Sequence, residues 1–328
     1  MTIRNVSTAL IAAVISVTAH AQDVLQDVTN LVQKTMGSRA GLEFIMKQVG
    51  QNEKPTPLTV ITRSQETHPA SGYVFEKLEL EGEKTGKIRL VIRYPRSGPS
   101  INPRPVLFVM SGFFVGSRTL EVFGDIGENI LVGYDYPTDT NLSPELPQKV
   151  VESIGQIPAQ VASSLAWITA QPWVDSYRVN TIGISLGAIF LPLCQRIAAL
   201  QGTPINSTIF AYGGAKLEDF LREDLKNKMG TQELALTQAG ISLVGSLVDP
   251  RSHLPELRGK FLVVNGEQDE LIPQTSSQTL AELTPRPKRV VVLPGPHIGP
   301  GETALIKRVT DLSMEWLVGI GAINPLSI

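Results

Sequence analysis

Cysteine is nearly absent: Cys194 is the only one, so no disulfide can close within the chain. Stability must come from a packed apolar core, and a chain of 328 residues is long enough to build a large one. Charge of one sign is missing too. Lys and Arg number 29 against 31 Asp and Glu, a formal net charge of −2. That balance gives no basic face of the kind nucleic acids need and no acidic solvating tail. The glycine-rich phosphate loops GxGxxG and GxxxxGK[ST] are absent. The zinc motif H-E-x-x-H is absent as well, and the few histidines are scattered, which argues against metal-dependent hydrolysis. No internal repeat or low-complexity tract interrupts the chain.

The N-terminus has the pattern of a secretory leader. Arg4 supplies a positive n-region, Ala9 to Val17 an apolar run too short to anchor in a bilayer, and Ala19-His20-Ala21 a small-residue cleavage site before Gln22. Residues 1–21 are therefore expected to be a signal peptide, and the mature protein to be periplasmic or secreted. Residues 22–71 form a second region. Val24, Val28, Leu31 and Val32, then Leu42, Ile45, Met46 and Val49, have helical spacing and predict one or two amphipathic helices. A proline-bearing connector follows, with a possible short strand at Leu58 to Thr62.

Residues 72–328 read as one α/β domain. Tyr73 to Leu80 and Ile88 to Tyr94 predict an antiparallel hairpin at a sheet edge. Val106 to Met110 and Asn129 to Tyr134 are short apolar runs of the kind that form buried strands, and Ser207 to Tyr212, Phe261 to Asn265 and Arg289 to Leu293 are expected to be further strands. Helical stripes alternate with them: Val161, Leu165 and Ile168 in a helix opening at Ile157-Pro158, and Leu305, Val309, Leu312 and Trp316 in the last one. Alternation of this kind implies a mostly parallel sheet covered on both faces. Residues 216–258 lack strand character and read as a helical insertion.

One turn carries most of the chemistry. Gly183-Ile184-Ser185-Leu186-Gly187 follows an apolar run and opens a helical pattern from Leu186 to Leu200. Strand, Gly-x-Ser-x-Gly, then helix is the context in which a serine hydroxyl stands exposed at a strand end. The free N–H of Leu186 at the helix start is suited to hold an oxyanion. Cys194, on the apolar side of this helix, reads as a core thiol, and Pro192 falls within it.

A serine nucleophile needs a base, and the base needs a carboxylate. After leader removal the histidines are His68, His253 and His297. His297 directly follows the last strand, and its loop emerges at the same sheet edge as Ser185 if the strands are parallel. Asp269 lies in the loop after Phe261 to Asn265. Glu267 and Glu270 compete with it there, and Asp135 and Asp219 lie at other strand ends. The order Ser185, Asp269, His297 is that expected on this architecture. The loop Ser111-Gly112-Phe113-Phe114 follows strand Val106 to Met110. Phe113 is the expected second oxyanion donor, with Phe114 close behind and a candidate wall of an apolar substrate pocket.

Taken together, these segments resemble the α/β-hydrolase superfamily, and within it exported serine esterases of the dienelactone-hydrolase and acyl-peptidase-like branch. The resemblance rests on Gln171-Pro172-Trp173-Val174-Asp175 running into Gly183-Ile184-Ser185-Leu186-Gly187. It rests also on the acid loop Gly266 to Pro273 and the histidine loop Gly295-Pro296-His297. Dienelactone hydrolases proper use cysteine where this chain has Ser185. The resemblance implies an eight-stranded, mostly parallel sheet with an antiparallel second strand, a variable cap at 216–258, no metal and no cofactor. The implied activity is cleavage of a small-molecule carboxylic ester through an acyl-enzyme. A peptidase or an acyltransferase would use the same triad, and a non-catalytic binding protein could use the same scaffold. The substrate and the oligomeric state stay open.

Overall fold

The computed structural model describes residues 54–68, 71–112, 115–137, 146–217, 219, 248–299 and 301–326. The leader, the N-terminal helical segment, Phe113, Phe114 and the middle of the 216–258 insertion lie outside the described residues.

Nine strands form one sheet: β1 Thr59–Thr67, β2 Val74–Gly82, β3 Gly86–Arg93, β4 Arg104–Met110, β5 Ile130–Asp135, β6 Val174–Ile184, β7 Ser207–Ala211, β8 Lys260–Gly266 and β9 Lys288–Leu293. Their spatial order is β1-β2-β3-β5-β4-β6-β7-β8-β9. From β5 through β9 every neighbouring pair is parallel. β3 is antiparallel to both of its neighbours, and β1 is antiparallel to β2. The count is one strand more than the resemblance implied. The short strand expected at Leu58 to Thr62 is a full edge strand of nine residues, so the β2–β3 hairpin lies one place in from the edge.

The runs at the sheet centre are buried because both of their faces are covered, whereas Arg289 to Leu293 became the edge strand β9, with Val290 44% and Val292 60% exposed. In β4, Val106, Phe108 and Met110 pack into one core, while Leu107 and Val109 pack into the other. β8 divides the same way, Phe261 and Val263 against Leu262 and Val264. Alternation of side chains across a strand makes a continuous hydrophobic run the signature of a two-sided burial. On the first face lie helices α1 Leu146–Thr169, α2 Leu186–Leu200 and α3 Gln274–Leu283. On the second lie α4 Thr303–Gly319 and the 3-10 turn Gly116–Val122. Helix α1 begins eleven residues before the expected start at Ile157, and Pro158 lies inside it rather than at its opening. Cys194 is fully buried, and burial pushes its thiol far above the ordinary range.

The ends of the 216–258 insertion are drawn together by one side chain. The buried Asp249 carboxylate accepts the N–H groups of Lys216 at 3.1 Å, Leu217 at 3.0 Å and Arg251 at 2.9 Å. Among the described residues, no helix is long and apolar enough to cross a membrane.

Candidate active site

Parallel strands send their exit loops to one edge, and that edge collects the polar residues singled out from the sequence. Ser185 follows β6 directly, with φ 54° and ψ −119°. A non-glycine residue at positive φ is strained by roughly 1–3 kcal/mol and persists only where its surroundings fix it. Here they do. The Ser185 N–H donates to the Ala211 carbonyl at 2.9 Å, and its own carbonyl accepts from Ala188 N at 2.9 Å. The flanking glycines leave the room. A Cβ on Gly183 would stand 2.7 Å from Ala188 Cα, and one on Gly187 would stand 1.8 Å from the Met110 carbonyl oxygen. Both glycines therefore let the helix start close against β4 and β6. The motif is a consequence of packing as much as of turn shape.

Ser185 Oγ lies 2.9 Å from His297 Nε2. His297 Nδ1 lies 2.9 and 2.8 Å from the two oxygens of Asp269. The side chains of His297 and Asp269 are only 6% and 5% exposed, so the pair is shielded from water while Ser185 is partly open. Asp269 Oδ1 also accepts the N–H groups of Leu271 at 3.0 Å and Ile272 at 2.9 Å, which fixes the carboxylate plane. With Nδ1 donating to Asp269, the Nε2 lone pair faces the serine hydroxyl.

The neighbouring carboxylates have other duties. Glu270 accepts the backbone N–H of His297 at 3.0 Å and so holds the histidine loop. Sequence reasoning treated Glu270 only as a competitor of Asp269. Two acidic residues side by side carry no sign of which one faces the ring. Glu267 is exposed. Asp135 accepts the Ser117 N–H at 2.7 Å and its hydroxyl at 3.1 Å, bracing the loop after β4. Asp219 accepts from Lys216 Nζ at 2.9 Å and Thr275 Oγ1 at 3.0 Å. The other histidines are elsewhere. His68 Nδ1 meets Ser71 Oγ at 3.2 Å beside β2, and His253 is fully buried, 3.4 Å from Arg196 Nη1.

Leu186 is the first residue of α2, so its N–H has no carbonyl four residues earlier within the helix. Phe113 and Phe114, the expected second donor and pocket wall, lie outside the described residues. Their flanks are tightly set. Tyr136 donates its hydroxyl to the Ser111 carbonyl at 2.7 Å, Ser111 Oγ donates to the Gly116 carbonyl at 2.8 Å, and Val115 N donates to the Gly112 carbonyl at 3.0 Å. Among the described residues no group of three or more His, Cys, Asp or Glu side chains is placed to hold a metal ion.

One residue at this edge was missed. Tyr212, the residue after β7, also has φ 54°, and its ring meets the His297 ring edge-to-face with centroids 5.8 Å apart. A tyrosine closing an apolar run reads as one more core residue, and nothing in the sequence announces the positive φ.

No protein-family model matches the sequence, and no curated protein matches it in sequence. Solved structures do match in shape. Acetyl xylan esterase 1 of a Thermoanaerobacterium species aligns with a TM-score of 0.55 at 12% identity, over 83% of this chain and 93% of its own. The acetyl xylan esterase of a Paenibacillus species gives 0.55 at 14%, over 83% and 92%. An esterase of the planctomycete Thermogutta terrifontis, solved with butyrate bound, gives 0.52 at 17%, over 74% and 92%. At such identities the likeness establishes the fold, and the chain has the α/β-hydrolase fold.

Proposed function

We propose that the protein is a serine hydrolase of small carboxylic esters, with Ser185 as nucleophile, His297 as general base and Asp269 as the carboxylate that orients it. The observation that carries this reading is the unbroken hydrogen-bonded line Ser185–His297–Asp269, with the serine held at φ 54° on the strand end. Structural neighbours named as esterases support the ester as substrate class.

His297 Nε2 takes the Ser185 proton as Oγ attacks the ester carbonyl. The tetrahedral oxyanion is held by the Leu186 N–H and by a second N–H from the loop after Met110, assigned to Phe113; Phe114 is assigned to the apolar wall. One such donor is worth about 10²–10³ in turnover. Protonated His297 hands its proton to the departing alkoxide, leaving an acyl group on Ser185. Water then attacks the acyl-enzyme with His297 again as base, and the acid product leaves. Asp269 keeps the imidazole in the tautomer this cycle requires and stabilises its charged form. Substrate choice falls to the loop after β4 and to the insertion tied off by Asp249. The leader pattern at residues 1–21 supports a site of action outside the cytoplasm.

Hydrolysis of p-nitrophenyl acetate by the mature protein tests the reading. Activity is expected in the wild type and absent from a folded Ser185→Ala variant. Equal turnover in both would overturn it. An amide substrate cleaved faster than its ester counterpart would favour the peptidase reading instead.

A further inference from the structure

Tyr212 joins all three triad loops. Its N–H donates to the Val264 carbonyl of β8, the acid strand, at 2.7 Å. The carbonyl of Ala211, immediately before it, accepts the Ser185 N–H at 2.9 Å. Its ring lies against His297 with an interplanar angle of 87°. The ring is also pressed onto the acid loop: a Cβ added to Gly266 would stand 2.8 Å from Tyr212 Cε1 and 3.4 Å from Asp269 Cβ. The side chain is fully buried, yet its hydroxyl is a buried polar atom with no hydrogen-bond partner among the described residues. Leaving such a group unpaired costs about 1–3 kcal/mol, and positive φ costs a comparable amount. Two costs at one residue, both beside the triad, call for a role.

We propose that Tyr212 is a positioning residue for the hydrolase reaction, whose aromatic ring sets the plane of the His297 imidazole against Ser185 and Asp269. The inference rests on the serine-hydrolase reading above. An imidazole held at Nδ1 by the Asp269 carboxylate can still turn about that contact, and a contact on its flank limits where Nε2 points. Edge-to-face aromatic contact at this distance supplies such a flank, because the ring quadrupoles favour the perpendicular arrangement. The contact needs a ring and does not need the hydroxyl. Burial, with Asp269 nearby, pushes the phenol up to about 12, so Tyr212 brings no charge to the His–Asp pair at neutral pH. Gly266 is then required where it is because the ring occupies the space a side chain would take.

The test compares wild type, Ser185→Ala, Tyr212→Phe and Tyr212→Leu in full-length mature protein. Fluorophosphonate labelling rate, kcat and KM for p-nitrophenyl acetate, and the thermal unfolding midpoint are measured on each. Tyr212→Leu is expected to slow labelling and kcat about 10- to 100-fold, the scale of a misplaced catalytic group, with KM within about twofold. Tyr212→Phe is expected to rescue both to within about twofold of wild type and to unfold no earlier, since it removes an unpaired buried hydroxyl. A leucine variant that labels like wild type would overturn the proposal. So would a phenylalanine variant as slow as the leucine one, because the ring would then not be the operative part. If the leucine variant does not fold, the native protein carries the test: a nuclear Overhauser contact between the Tyr212 and His297 rings is expected, and its absence overturns the proposal. A wild type that does not label at all, while folded, would instead sink the serine-hydrolase reading, and this inference with it.

Discussion

Adding one methyl group at Gly187 should slow ester hydrolysis about 10²-fold without touching a side chain of the proposed triad. The Cβ of Gly187→Ala would stand 1.8 Å from the Met110 carbonyl oxygen and 2.5 Å from its carbon. Carbon–oxygen contacts in proteins settle at about 3.3–3.6 Å, so helix α2 and the end of β4 must part by about 1.5 Å. Neither side yields cheaply, because the obstacle is backbone and Met110 is paired in register with Gly183. Overpacking of this kind costs about 1–3 kcal/mol in stability. The functional loss should be larger. The separation moves the Leu186 N–H away from the loop after Met110, splitting the two halves of the proposed oxyanion site. A misplacement near 1 Å costs about 10²-fold in rate. Gly319→Ala is the control, since a Cβ there meets nothing within 4 Å. The assay is ester hydrolysis beside a thermal melt. A Gly187→Ala variant with wild-type kcat and an unchanged melting point would refute the packing argument for this glycine.

Asp269→Asn should lower kcat by about 10³–10⁴-fold with little effect on folding. The asparagine oxygen can keep accepting from Leu271 and Ile272, which turns its NH₂ toward His297 Nδ1 and forces the proton onto Nε2, where it blocks the serine. Turnover within tenfold of wild type would contradict that role. Stability should fall with rising pH above about 10, the ordinary tyrosine range. Burial raises Tyr94, Tyr134, Tyr136 and Tyr212, the last to about 12, so their stabilisation is complete below the unfolded value of 10.0 and is lost as pH climbs through the folded ones. Each such tyrosine adds a slope of about 1.4 kcal/mol per pH unit within its window. Urea midpoints at pH 9 and pH 11 measure this, and equal midpoints would contradict it.

The parts of the fold legible in the sequence were those governed by burial on both faces. Val106 to Met110 and Phe261 to Asn265 are continuous apolar runs because two cores compete for their alternate side chains. Edge strand β9 buries little and was still legible from its run of valines, but other elements with little to bury gave no such signal. Strand β1, Thr59–Thr67, is exposed along its whole length and was foreseen only as a fragment. Helix α3, Gln274–Leu283, buries only Ser276, Ser277 and Leu280, too few to make a stripe, and it was not anticipated. Ile157-Pro158 reads as a helix start, yet α1 carries Pro158 twelve residues after its first residue, Leu146. At the site, chain order and strand ends singled out Ser185, Asp269 and His297, and the structure brings these three within hydrogen-bond distance. What sequence could not separate was division of labour among neighbours. Glu270 and Asp269 are alike on paper, and only the loop's path turns one to the His297 backbone and the other to its ring. The strain at Tyr212 was equally silent, since it arises from three loops meeting rather than from any local pattern.

The central claim is that Ser185 is an activated nucleophile, and covalent capture by a fluorophosphonate asks this without knowing the substrate. The protein from Gln22 onward should take up one label, and peptide mass mapping should place it on Ser185, with none on the folded Ser185→Ala protein. A label on another residue, or a folded wild type that takes up none, would contradict the account.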